Sequence, residues 1–167
     1  MMDLWDRVGP IFTAVDGAHP EINVENVSED IMRFVLNYML YNSKSVESGF
    51  RSITPPHPQV VVNFPSAVPE VVLAELIVGP LVAEMRWDGC TLPPIAAFIL
   101  DKDAFFISYE MGAHWNPVNV TALFEFFRLL KSLDKYVQIR LSREHFGASW
   151  RVQWDMTLKE YIEEHAP

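Results

Sequence analysis

Residues 81–111 read LVAEMRWDGCTLPPIAAFILDKDAFFISYEM, and their rhythm decides the fold class. Leu81, Ala83, Met85 and Trp87 alternate with Val82, Glu84, Arg86 and Asp88, the period of a half-buried strand. Asp88-Gly89 is a turn signal. Ile95–Leu100 is apolar on both faces, as expected of a central strand. Asp101-Lys102-Asp103 breaks that run. Phe105, Ile107, Tyr109 and Met111 then alternate with Phe106, Ser108 and Glu110, which predicts a hairpin partner.

Outward from this stretch, helices and further strands come in short succession. Asn116-Pro117 is a helix entry, a cap followed by a first helical position. Leu123, Phe126, Phe127, Leu130 and Leu133 form its apolar stripe. Val137, Ile139 and Leu141 alternate with polar residues and predict a strand. Trp150, Val152 and Trp154 alternate with Arg151 and Gln153 and predict its hairpin partner, and Thr157-Leu158-Lys159-Glu160 fits a capping box for a terminal helix. Upstream, Ser28 caps a helix over 28–41, with Ile31, Phe34, Val35 and Tyr38 on one side. Trp5 lies in a short helical segment, and Pro10 opens a strand at Ile11–Val15. Residues 42–58 form a long irregular loop ending in Pro55, Pro56 and Pro58. Val60-Val61-Val62 predicts a strand, and Pro69 opens a helix to Val78, a segment whose Val71, Val72, Ile77 and Val78 also favour strand.

Strands that arrive in neighbouring pairs joined by tight turns pair antiparallel. The expected fold is therefore α+β: a mostly antiparallel sheet of about five strands with helices packed mainly on one face. Glu84, Arg86, Ser108, Glu110, Gln138, Arg140, Arg151 and Gln153 would supply the polar positions on the other face. A chain of 167 residues, half of them hydrophobic, is one domain over 1–167 with a core of its own.

Composition narrows the function classes. Thirteen basic against 22 acidic residues give a net charge of −9, which argues against nucleic acid or an anionic membrane as the target. Residues 1–30 hold seven acids against Arg7, and residues 155–167 hold four against Lys159, so these ends carry −6 and −3 and the middle is neutral. The bland reading is a solvated surface. The functional reading is an anionic face for a basic protein partner, centred on Glu21 and Glu25, and it requires the two ends to meet. The segment Met1–Pro10 lacks the pattern of a secretory signal, and one cysteine with no disulfide framework fits a cytoplasmic setting.

Chemical motifs are sparse. No glycine loop for phosphates occurs among only seven glycines, and His19, His57, His114, His145 and His165 stand apart from one another, so no cofactor and no metal site is expected. Cys90 with His114 and Asn116 is the best catalytic set, a thiol with a base and an orienting amide; the alternative is a small core-edge thiol and a surface imidazole. The loop Met111–Pro117 puts Trp115 beside His114. Trp115 is either a binding hot spot or a ring folded back over the helix start. The preferred expectation is a small acidic protein-binding protein acting by occlusion or scaffolding, as an inhibitor, an immunity or antitoxin-type protein or an assembly adaptor. Its contacts would be Glu21, Glu25, His114 and Trp115, with Trp115→Ala weakening capture but not folding. A cysteine-dependent hydrolase or transferase using Cys90 and His114 is the enzyme alternative. Self-association through the strand-prone Gln59–Phe64 is the third.

Overall fold

The structure is a computed structural model that describes residues 3–14, 19–47, 50–51, 59–60, 81–87 and 89–166. Its centre is the hairpin that the alternation at 81–111 predicts. Strands β7 (Ile95–Asp101) and β8 (Ala104–Tyr109) pair antiparallel, with Phe98 opposite Phe106 and Ala97 opposite Ile107. On the far side of β7 lies β5 (Leu81–Trp87), which folds back on the short β6 (Cys90–Thr91) through Gly89 at φ +75°. On the far side of β8 lies β1 (Glu21–Glu25), and then β9 (Gln138–Leu141). β2 (Ser43–Glu47) closes the other edge against β5, giving a seven-stranded, wholly antiparallel sheet. A separate pair joins β3 (Phe50–Arg51) to β4 (Gln59–Val60).

The α+β class and antiparallel sheet agree with the sequence. Several elements do not. The stretch read as an irregular loop at 42–58 holds β2 and β3. β1 carries only five residues, and its Ile22 and Val24 alternate with polar Glu21, Asn23 and Glu25, too brief a pattern to stand out. Residues 61–80, on which the rest of the expected Val-rich strand and the expected helix to Val78 fall, lie outside the described residues.

Period and register give the sheet one thoroughly buried face. Ile22 lies beside Ile107 and Leu141, and Val24 beside Phe105 and Ile139. All six side chains are buried, as are Ile95, Ala97, Ile99 and Tyr109. These join the inward faces of the four helices among the described residues in a single apolar core.

Each helix forms for a readable reason, with one exception in detail. α1 (Leu4–Thr13) starts at Asp3, whose carboxylate accepts from the Trp5 N–H. It runs through Pro10 and so replaces the strand expected at Ile11–Val15. Val8, Ile11 and Phe12 recur at helical spacing and are buried, and that burial outweighs the hydrogen bond Pro10 removes. Pro10 and Asp6, the carbonyl it leaves unpaired, are both exposed, so water can satisfy the carbonyl. α2 (Glu29–Asn42) begins where Ser28 accepts from the Ile31 N–H at 3.2 Å. α3 (Pro117–Leu133) begins where the Asn116 side-chain Oδ1 accepts from the Val118 and Asn119 N–H groups. Leu123, Phe126, Phe127 and Leu130 are buried as expected, while Leu133 is exposed.

α4 (Ala148–Glu164) corrects the largest misreading. Trp150, Val152 and Trp154 alternate like a strand, yet they lie on this helix and only Trp154 is buried. The spacing that matters is Trp154, Thr157, Leu158 and Tyr161, positions i, i+3, i+4 and i+7. The polar Thr157 in that stripe hid it. The Trp154 indole N–H donates to the Ile139 carbonyl at 3.2 Å, so α4 also covers part of the free edge of β9.

Candidate functional site

The alternation that buries Ile22 and Val24 turns Glu21, Asn23 and Glu25 to the opposite face of the sheet. Asn23 is flanked there by Phe106 on β8 and Arg140 on β9. Phe106 stacks on Phe98 of β7, ring centroids 4.6 Å apart and planes within 14°. Both rings are only half-buried, and Leu100 beside them is 53% exposed. The floor of this face is therefore apolar and open, with acids and an arginine on it.

The start of α4 makes a wall along that floor. After β9 the chain turns at 143–145, where the Ser142 hydroxyl accepts from the Glu144 N–H and the Ser142 carbonyl from the Phe146 N–H. Buried Phe146 anchors the turn. Arg143, Glu144 and the first-turn Arg151 then face Glu21, Glu25, Phe106 and Arg140 across a cleft of about 620 Å³. Three guanidinium groups (Arg140, Arg143, Arg151) and four carboxylates (Glu21, Glu25, Glu144, Asp155) line it. Among the described residues none of the seven forms an ion pair. The Arg151 Nε–H is buried without a hydrogen-bond partner among the described residues. The N-cap of α4 is Gly147, which offers no side-chain acceptor, and the first turn carries no acid.

Of the residues singled out from sequence, Glu21 and Glu25 lie in this cleft, and His114 and Trp115 do not. Trp115 is 2% exposed, packed on Phe12 and Tyr109 with centroids 4.8 and 5.5 Å away. Its indole N–H donates to the Glu110 carbonyl at 2.9 Å. The ring is thus folded back, as in the second of the two readings, but onto α1 and β8 in the core, and it offers no exposed face. His114 is exposed, with Nε2 3.0 Å from the same Glu110 carbonyl. Gly112 permits this tight loop, since a Cβ there would come within 2.8 Å of the imidazole.

Cys90, His114 and Asn116 are not hydrogen-bonded to one another. The Cys90 sulfur accepts from the Asn119 amide at 3.2 Å, and that amide also donates to the Thr91 carbonyl. Asn116 is engaged as the α3 cap. No cluster of three or more His, Cys, Asp or Glu that could hold a metal occurs among the described residues.

The two acidic ends do meet. An ion pair between Arg7 and Glu160 ties α1 to α4. Nearby on α3 and α4, the Tyr161 hydroxyl donates to Glu125 at 2.5 Å and Arg128 pairs with the same carboxylate. Burial works to raise the Glu125 carboxyl. The hydrogen bonds from Tyr161 and Arg128, with the charges of Arg128 and His165, outweigh it and hold the group below its ordinary value.

Sequence reasoning missed Phe98, Leu100, Phe106 and the helical placement of Arg151; Arg143 and Glu144 stand out in the sequence only as a candidate acid–base set with His145. A signal was present: Phe98 and Phe106 both occupy the parity that faces away from the core. No known family, curated protein or solved structure matches the chain. No helix among the described residues is long and apolar enough to cross a membrane.

Proposed function

We propose that the protein binds another protein through the open face of its sheet and acts by occluding or scaffolding that partner. The observation that carries this reading is the cleft beside Phe106: stacked phenylalanines and an exposed leucine, surrounded by seven charges that have no ion-pair partner among the described residues. Charges spent on stability are usually paired; unpaired charges of both signs around an apolar floor are available to a complementary surface. Every cation in the cleft is an arginine, and arginine and aromatic residues are the types enriched at interfaces while lysine is depleted. The acidic excess of the chain, with Glu21 and Glu25 on the floor, favours a partner that brings basic groups.

The test is photo-crosslinking in the native cell. A photoreactive residue at Leu100 should yield a discrete adduct with one partner, and the same residue at Tyr41, exposed but outside the cleft, should not. Adducts that are the same from both positions would sink this choice of surface.

A further inference from the structure

We infer that the open face of the sheet takes an amphipathic helix of the partner, lying along β1 with its apolar stripe on Phe98, Leu100 and Phe106 and a basic flank on Glu21 and Glu25. The inference rests on the protein-binding reading above and names the element that the partner brings.

Both edges of the seven-stranded sheet are blunted against an added strand. On the β9 edge the Ile139 carbonyl already accepts from the Trp154 indole N–H at 3.2 Å. The Val137 carbonyl just before that strand accepts from the Lys131 ammonium at 2.6 Å. On the β2 edge the pairing with β5 shifts register between Ser45 and Glu47, a bulge of the kind that spoils an edge for further pairing. A partner therefore reaches this sheet through its face.

The face is striped strand by strand. The row Phe98, Phe106, Asn23, Arg140 runs straight across β7, β8, β1 and β9. The first two strands carry the stacked phenylalanines and Leu100, and β1 carries Glu21 and Glu25 on the same side. Arg140 follows on β9, with Arg143 in the turn behind it. The order across the cleft is thus apolar, acidic, basic. Its apolar part is only two strands wide. A second sheet packs on a face that is apolar throughout, whereas a helix presents one narrow apolar stripe with charges beside it. Dimensions agree with a helix. From β8 to β9 is two strand spacings, about 9.6 Å, and a helix with its side chains is about 10 Å across. Glu21 and Glu25 stand about 13 Å apart along β1, within reach of basic side chains two turns apart, about 11 Å, on a helix parallel to it. Lysine or arginine there meets carboxylates that have no ion-pair partner among the described residues. Arg140 and Arg143 repel the same cations, so the basic flank is confined to β1.

The experiment is a titration of the full chain with the fluorescein-labelled peptide LKAQLKQLKAQLKQLKA, followed by anisotropy and by the amide resonances of the protein. Its leucines recur at helical spacing and its lysines lie along one flank of that stripe. The peptide should bind and move the amides of β1, β8 and residues 98–100. The same peptide with its two internal alanines replaced by proline keeps every leucine and lysine but breaks the helix, and should bind at least about tenfold more weakly. Glu21→Gln with Glu25→Gln should weaken the helical peptide about fivefold, the loss expected for two partly exposed ion pairs. Glu163→Gln with Glu164→Gln removes the same charge outside the cleft and should leave binding unchanged. Leu100→Asp, a change at an exposed residue, should abolish binding. Equal binding of the helical and proline peptides would overturn the helix assignment in favour of an extended segment. Equal losses from the two acid pairs would reduce the attraction to net charge and overturn the docking site, as would shifts confined to the edge strands β2 and β9. If the helical peptide does not bind while the Leu100 crosslink forms, the helix assignment falls and the protein-binding reading stands; if the crosslink fails too, both fall.

Discussion

Phe98 and Phe106 stand opposite one another on β7 and β8 and stack 4.6 Å apart on the side of the sheet that the core does not use. Their neighbours in sequence, Ile99 and Phe105, point the other way and are 1% exposed. One hairpin therefore carries a core face and a second aromatic face. The two should respond differently to truncation.

Phe105→Ala removes a fully buried ring and should cost about 3–5 kcal/mol. Phe106→Ala removes a half-buried one with its stacking partner and should cost about 1 kcal/mol. Urea denaturation of the two variants checks the difference. Comparable losses would mean that the outer face is packed as tightly as the core.

Trp115 was a candidate contact in the sequence, and its burial changes what Trp115→Ala should do. The ring packs on Phe12 and Tyr109 and its N–H is bonded to Glu110. The variant should lose about 3–5 kcal/mol of stability, with a matching fall in Tm. Weaker partner capture in that variant would then reflect unfolding. Unchanged thermal stability would contradict the placement.

Acid should act on Glu125. Its carboxyl titrates below the ordinary value of 4.5 in the folded chain. A depressed folded value contributes stability that is present above pH 4.5 and is lost as the pH falls through the folded value. Glu125→Gln should therefore flatten the stability–pH curve below pH 4.5, and Tyr161→Phe should flatten it partly, because it removes one hydrogen bond that lowers the carboxyl. Curves parallel to the wild type in both variants would remove this role.

Arg7 links two segments that carry −6 and −3 between them, through its pair with Glu160. Both side chains are partly exposed, so the pair itself is worth at most about 1 kcal/mol. Arg7→Gln leaves Asp3, Asp6, Glu163 and Glu164 with one fewer counter-charge. Its cost should be larger in low salt and should shrink as salt screens the acids. A cost independent of ionic strength would show that Arg7 acts only by packing.

The central hairpin was legible in the sequence because the apolar run Ile95–Leu100 is followed, across Asp101-Lys102-Asp103, by the alternation from Phe105 to Met111, and Leu81–Trp87 alternates ahead of Asp88-Gly89; a period of two has one structural meaning when turns flank it. The start of α3 was legible because Asn116-Pro117 is a local chemical signal. α1 and α4 were not, each for its own reason. Pro10 speaks locally against a helix, and only the tertiary burial of Ile11 and Phe12 overrides it. In α4 the aromatic alternation at 150–154 mimics a strand, while the true stripe runs through Thr157. The cleft was legible only in halves: Glu21 and Glu25 by their charge, Arg140 and Arg151 as outward polar positions. Their convergence depends on β1 inserting between β8 and β9 and on α4 starting beside them, which are long-range pairings with no local mark.

Amide hydrogen exchange on the protein alone and on the protein recovered with its partner tests the binding face most directly. Slower exchange should be confined to β1, β8, β9 and residues 142–151, around Phe106 and Arg151. Protection that falls elsewhere, with exchange unchanged in those segments, would contradict it.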